Sequence, residues 1–342
     1  MRRPAGKGRF LTSLRRRVKE LDQFPNKPSP GGGGGGGGYK SPKNPNQYNS
    51  LCRSVDEILK HETLEVVYQP IVNHAEGVVF AHEALSRPQY GGHFIPPEVW
   101  FRAAYESKRS MEADLLALTI SVNRLRLLPP EISSIPLYVN VMPSSFVQES
   151  FVERLEVLLR EGLCEPDQLV IEIVEYISYD LTLLSKMIKS IRSLGVRIAL
   201  DDVCAGSTSL AGLFEFEPDF VKVDRTVIQG ISISSSKQRF LSRLVRFMES
   251  GNSVIAEGVE NYEDLNAIRE AGVNVSQGYY WSRPMSISEL SDLLSEIERK
   301  RTELADLARN RDGSLTDKAV VQKSQELDTL IHLYHQLLRK DL

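Results

Sequence analysis

Nine polar side chains interrupt eight apolar runs of this chain, and all are of types that hold metal ions or phosphate. They are Gln69 in VVYQPIV, Glu83 in VVFAHEAL, Asn140 in PLYVNVM, Glu172 in LVIEIV, Asp201 and Asp202 in VRIALDD, Lys222 in DFVKVD, Glu257 in SVIAEG and Gln277 in VNVSQGYYW. A carboxylate inside a Val/Ile/Leu run costs several kcal/mol when it is buried without a partner. One such defect is an accident of packing; eight in succession imply run ends that converge on a shared ionic site. Apart from Lys222, every one of these side chains offers oxygen. Hard oxygen donors suit Mg²⁺ or Mn²⁺, where His and Cys would favour zinc.

Most of the runs are separated by segments long enough for a crossover helix, such as FVERLEVLLREGL, LTLLSKMIKSIRSLG and YEDLNAIREAG. Strands alternating with such helices predict a parallel sheet. Eight of them in about 230 residues fit a closed (β/α)8 barrel, whose site lies at the C-terminal strand ends. One joint departs from the pattern. Only Asn73 to Gly77 separates the first run from the second, too short for a parallel crossover. The expectation is therefore an α/β, TIM-like barrel with one hairpin and one antiparallel strand.

Glu83-Ala84-Leu85 followed by Arg87, with IVE, DD, KVD, AEGVE and SQGYYW downstream, resembles the EAL family of cyclic di-GMP phosphodiesterases from about residue 55 to about residue 298. A bare Glu-Ala-Leu is uninformative; the ordered set is specific. The resemblance implies hydrolysis of a phosphodiester by two divalent ions, Mg²⁺ or Mn²⁺, and a homodimer. It implies Glu83, Asn140, Glu172 and Asp201 around one ion, with Asp201 bridging to a second at Asp202 and Glu257. Lys222 would lie beside the attacking water and Gln277 would support the site. Gln69, Leu85 and Arg87 would face the substrate, the Arg87 fork suiting phosphate. Glu175 would brace the loop after the Asp pair.

Each residue has a plainer alternative. Glu83 could pair with Arg87, Asp201-Asp202 could cap the following turn, Lys222 and Asp224 could pair with surface charges, and Asn140 could satisfy loop backbone. The chain also departs from the family after the Asp pair. There the family reads Phe-Gly-Thr-Gly-Tyr-Ser-Ser-Leu, and this chain reads Val203-Cys204-Ala205-Gly206-Ser207-Thr208-Ser209-Leu210. Cys204 in place of Gly adds a Cβ that penalises positive φ. A catalytically weak or inactive cyclic di-GMP receptor is the competing expectation.

Residues 299–342 form the second motif-bearing segment. Val320, Leu327, Ile331, Tyr334 and Leu338 make a 3/4-spaced seam after an Arg311-Asp312-Gly313-Ser314 turn, which predicts a two-helix hairpin. Its Ser324-Gln325-Glu326-Leu327-Asp328 resembles the SQELD motif of sporulation-regulatory phosphatases. The resemblance implies a phosphorylated sporulation response regulator as partner, with Gln325 and Asp328 as catalytic residues. The alternative is a solvated face on a dimerising coiled coil.

Residues 1–50 are different again. Eight consecutive glycines at 31–38 predict a flexible tether. Phe10, Leu14, Val18 and Leu21 beside Arg15, Arg16, Arg17 and Lys19 allow either a membrane-binding basic helix or a solvated arm. The 51–298 barrel would follow. A net charge of −3 over 342 residues gives no global field for nucleic acid. Three cysteines without CxxC spacing, no membrane-length apolar run and no signal-peptide pattern favour the cytoplasm.

Overall fold

The computed structural model describes residues 45–173, 181–203, 211–251 and 253–292, together with 295 and 299. The chain divides into two compact units, Met1–Asn49 and Ser50–Leu342; nearly all described residues belong to the second. The 204–210 loop, Glu175, the basic arm and the 299–342 hairpin fall outside the described residues, apart from Arg299.

Eight strands close a barrel: β1 (Glu65–Asn73), β2 (Val78–Arg87), β3 (Leu137–Val141), β4 (Leu169–Ile173), β5 (Arg197–Val203), β6 (Phe220–Val223), β7 (Val254–Ala256) and β8 (Val275–Ser276). From β2 to β8 each neighbour is parallel; β1 is antiparallel to both β2 and β8. The five-residue joint thus gives the hairpin its length requires. A short strand, Met285–Ser286, adds to the other side of β1.

Helices α1 (Pro45–His61), α2 (Pro97–Glu106), α3 (Ser110–Leu125), α4 (Glu149–Arg160), α5 (Leu181–Ser193), α6 (Ala211–Phe216), α7 (Ser235–Phe247) and α8 (Tyr262–Glu270) accompany the strands. All but α1 lie in the strand crossovers. Val55 and Ile58 of α1 pack with Trp100, Ala103 and Ala104 of α2 and with Ala113 and Ala117 of α3 in a satellite core.

Inside the barrel, each strand contributes one residue to a single apolar layer: Ile71, Ala81, Tyr138, Val170, Ala199, Phe220, Ile255 and Val275. Side chains alternate along a strand, so the residue two further on returns to the same interior. Those residues are Glu83, Asn140, Glu172, Asp201, Lys222, Glu257 and Gln277. On β1 the order inverts, because the strand runs the other way: Gln69 comes two residues before Ile71 and pairs with Glu83 in register. One apolar floor and one polar layer above it follow from the alternation alone.

Candidate metal centre

Lys222 is the hub of that polar layer and is fully buried. Its Nζ lies 2.8 Å from Glu172, 2.9 Å from Glu257, 3.3 Å from Asp201 and 3.4 Å from Glu83. Burial alone would pull the ammonium down. The carboxylates of Asp201, Glu172, Glu257 and Glu83 outweigh it and hold Lys222 well above the ordinary lysine value. Burial pushes the Glu172 carboxyl well up, with Glu83 and Asp201 adding repulsion against the attraction of Lys222. The surface-pairing alternative for Lys222 is removed by its depth. Asp224 instead caps the next turn through the Thr226 N–H, 2.9 Å away.

An amide chain orients Glu83. Asn140 Nδ2 donates to Glu83 Oε1 at 3.2 Å, and Gln277 Nε2 donates to Glu83 Oε2 at 2.6 Å and to Gln69 Oε1 at 3.2 Å. Gln69 Nε2 in turn donates to the Ser282 carbonyl at 3.1 Å. Backbone bonds carry β7 and β8 one residue further, Glu257 N–H to Val223 O at 3.1 Å and Gln277 N–H to Ala256 O at 2.8 Å. Both side chains are thereby fixed like strand residues.

Adjacent acids on a strand point to opposite faces, yet Asp201, Asp202 and Glu257 each bring one carboxylate oxygen within 4.8 Å of the others. The ladder between β5 and β6 shifts after Leu200, and Asp202 takes a φ of 52°. Asp tolerates that left-handed conformation better than most residues. The twist turns the second carboxylate inward.

The residues fit a divalent cation. Glu172 Oε2 is buried without a hydrogen-bond partner, and Glu172 Oε1 and Asp201 Oδ1 have only Lys222 Nζ, at 2.8 and 3.3 Å. With every group ionised, the five carboxylates Glu83, Glu172, Asp201, Asp202 and Glu257 and the one ammonium leave a formal charge of −4. Two divalent ions neutralise that charge.

Leu85 and Arg87 follow Glu83 at period two, on the same face of β2. Burial lowers the Arg87 guanidinium from its usual value, and Glu83, Tyr279 and Glu98 raise it in return. Two of these neighbours, and Ser282 beside Gln69, have no role in the sequence reading. Tyr279 carries Arg283 over its ring at 4.4 Å, Glu98 opens α2, and Ser282 acts through its carbonyl. A backbone acceptor has no residue-type signature, and Glu98 reads as an ordinary first-turn acid.

The EAL domain profile matches residues 53–284, and the profile of the Spo0E like sporulation regulatory protein matches residues 293–336. Over 246 residues the chain is 28% identical to the probable cyclic di-GMP phosphodiesterase PdeN of Escherichia coli, covering 69% of this chain and 46% of that protein. It is 29% identical to the cyclic di-GMP phosphodiesterase RocR of Pseudomonas aeruginosa, covering 69% and 61%. The chain thus spans less than two thirds of these relatives. The manganese and cyclic di-GMP complex of Klebsiella pneumoniae BlrP1 at pH 6 superposes with a TM-score of 0.59 at 31% identity, over 66% of this chain and 56% of that one. An EAL domain protein of Listeria monocytogenes shares the fold at a TM-score of 0.63 and 24% identity, over 72% and 97%. The barrel, its one reversed strand and the profile match over more than half its length agree: this chain belongs to the EAL domain family and carries a Spo0E-like segment toward its C-terminus.

Proposed function

We propose that the 51–298 barrel hydrolyses cyclic di-GMP to linear pGpG using two divalent ions, Mg²⁺ or Mn²⁺. The observation that carries this reading is the ring of four carboxylates around Lys222, with Glu172 Oε2 buried and without a hydrogen-bond partner. Glu83, Asn140, Glu172 and Asp201 would hold one ion, and Asp202 and Glu257 the second, with Asp201 shared. Ions held there would supply activation of a water and stabilisation of charge on the attacking and leaving oxygens.

The chain's own residues do the rest. Lys222, fixed by four carboxylates, presents a permanent charge and hydrogen-bond donors to an oxygen entering beside them. Gln277 and Asn140 keep both Glu83 oxygens oriented. Gln69, Leu85 and Arg87 face the nucleotide, and the planar Arg87 fork grips phosphate. The family resemblance assigns Glu175, outside the described residues, to the loop after Asp202 and implies a homodimer. The manganese and cyclic di-GMP named in the BlrP1 complex support the same pairing of metal and ligand.

The second part of the reading assigns residues 299–342 to removal of phosphate from a sporulation response regulator, with Gln325 and Asp328 placing the attacking water. The Spo0E-like profile match supports it. The protein works in the cytoplasm; among the described residues no helix is long and apolar enough to cross a membrane.

Purified protein with Mn²⁺ or Mg²⁺ should convert cyclic di-GMP to pGpG, and Glu83→Ala should abolish conversion. The substituted loop at 203–210 favours one competing reading, a receptor that binds the nucleotide without cutting it. Binding without product would establish the receptor. Neither binding nor product would overturn both.

A further inference from the structure

Asp114 is a buried carboxyl that the chemistry above does not use. It sits on α3, 1% exposed, with no basic partner among the described residues. Its Oδ2 accepts the Met142 N–H at 3.1 Å, and Ser145 is its other polar neighbour. A leucine would fill this place at less cost if packing were all that mattered.

Met142 marks the point where β3 leaves the barrel. The ladder to β4 ends at Val141, paired with Ile173, and the ladder to β2 ends at Val139, paired with Ala84. The next backbone donor therefore has no strand to bond, and Asp114 supplies its acceptor. Ser145 N–H then returns to Met142 O at 2.9 Å, closing the turn. Asn140 lies two residues before this pin, and its amide is one of the two that orient Glu83.

We propose that Asp114 is a positioning residue, holding the β3 exit so that Asn140 reaches the metal site. This rests on the metal-dependent reading above. Burial, against the pull of Ser145 and Met142, pushes the carboxyl up to about 8, so near neutral pH it is chiefly the neutral acid. An amide is then its nearest mimic.

The test uses the full chain. Asp114→Asn keeps an acceptor for Met142 and should leave Mn²⁺ affinity and turnover within about twofold. Asp114→Ala should weaken Mn²⁺ in calorimetry by roughly tenfold, the scale of an outer-shell support. Should the alanine variant not fold, Asp114→Leu fills the volume without the acceptor and takes its place. If Asp114 works through Asn140, adding Asp114→Ala to Asn140→Ala should cost almost nothing further. An additive loss, or unchanged Mn²⁺ affinity, overturns the proposal. Hydrogen exchange of the Met142 amide provides a readout without metal: it should speed up at least tenfold in the alanine or leucine variant and not in the asparagine variant. Unchanged exchange overturns the pin even if wild-type protein binds no Mn²⁺, an outcome that would separately overturn the metal reading.

Discussion

Lys222 on β6 and Glu172 on β4, with β5 between their strands, lie 2.8 Å apart with essentially no solvent on either side chain. The pair has the depth of a core contact and the chemistry of an ionic one. Removing Lys222 leaves Glu172 buried without its cation, where water cannot reach it.

Lys222→Met should therefore cost roughly 3–5 kcal/mol in chelator, the usual penalty for breaking a buried pair from one side. Divalent metal supplies the missing positive charge. At a hundredfold excess over its Kd, Mn²⁺ should restore about 2.7 kcal/mol through binding to the folded state alone. Urea unfolding with and without Mn²⁺ checks both numbers; equal midpoints for wild type and variant in chelator would refute the first.

Gly278 follows Gln277 where the chain passes against Val259. A Cβ there would lie 2.1 Å from Val259 O and 2.4 Å from its N, both backbone atoms that cannot swing aside. Gly278→Ala should cost roughly 2–4 kcal/mol, the scale of enforced backbone strain. It should also displace Gln277, so turnover should fall more than the folded fraction does. Unfolding curves and rates on the same samples separate the two.

His74 predicts a pH dependence. Its ring bonds Ser276 Oγ at 3.1 Å and the Val273 carbonyl at 2.8 Å, and Trp281 Nε1 donates to the same Ser276 oxygen at 2.9 Å. That set is satisfied by the neutral ring, with Nε2 as donor and Nδ1 as acceptor. Burial lowers its pKa to about 4, against 6.5 unfolded. The unfolded chain binds the extra proton between those values, so stability is full above pH 6.5 and falls as pH drops toward 4. The full loss is about 3 kcal/mol. His74→Gln should abolish that part of the slope, read as the wild-type minus variant difference in unfolding free energy across pH 4–7.

The loop after Asp202 gives a fourth expectation. Cys204→Gly with Ala205→Thr should raise turnover or metal affinity if the substituted residues weaken the second ion. Identical metal titrations and rates would show that the loop's composition is neutral.

Asp328→Ala should spare nucleotide hydrolysis and regulator binding but remove loss of phosphate from the regulator. Glu83→Ala should do the reverse. Radiolabelled phosphate release from the sporulation regulator measures this directly, and coupled loss in both assays would argue against two separate sites.

Much of the barrel was legible because its polar residues interrupt apolar runs, and a five-residue joint admits only a hairpin. The inward layer of Glu83, Asn140, Glu172, Asp201, Lys222, Glu257 and Gln277 follows from period two once the strands are placed. The ends of β7 and β8 were not legible: these strands are three and two residues long, and backbone bonds to Val223 and Ala256 extend them. Asp202 needed a left-handed φ that its residue type allows but does not signal. Asp114 was invisible for another reason, since an acid on a helix ordinarily faces water and only the packing of α3 against β3 reveals otherwise.

The reversed β1 also sets an order of assembly. Gln69 and Glu83 meet through a short hairpin, a local event available early in folding. The bond from Gln277 to Gln69 spans 208 residues and joins the last barrel strand to the first. A ribosome must therefore release the eighth strand before Glu83 gains its second amide. Until then the nascent chain holds a cluster of acids without its full scaffold, and a product truncated before Gln277 would keep most of the ligand residues yet lack the closure that aims them.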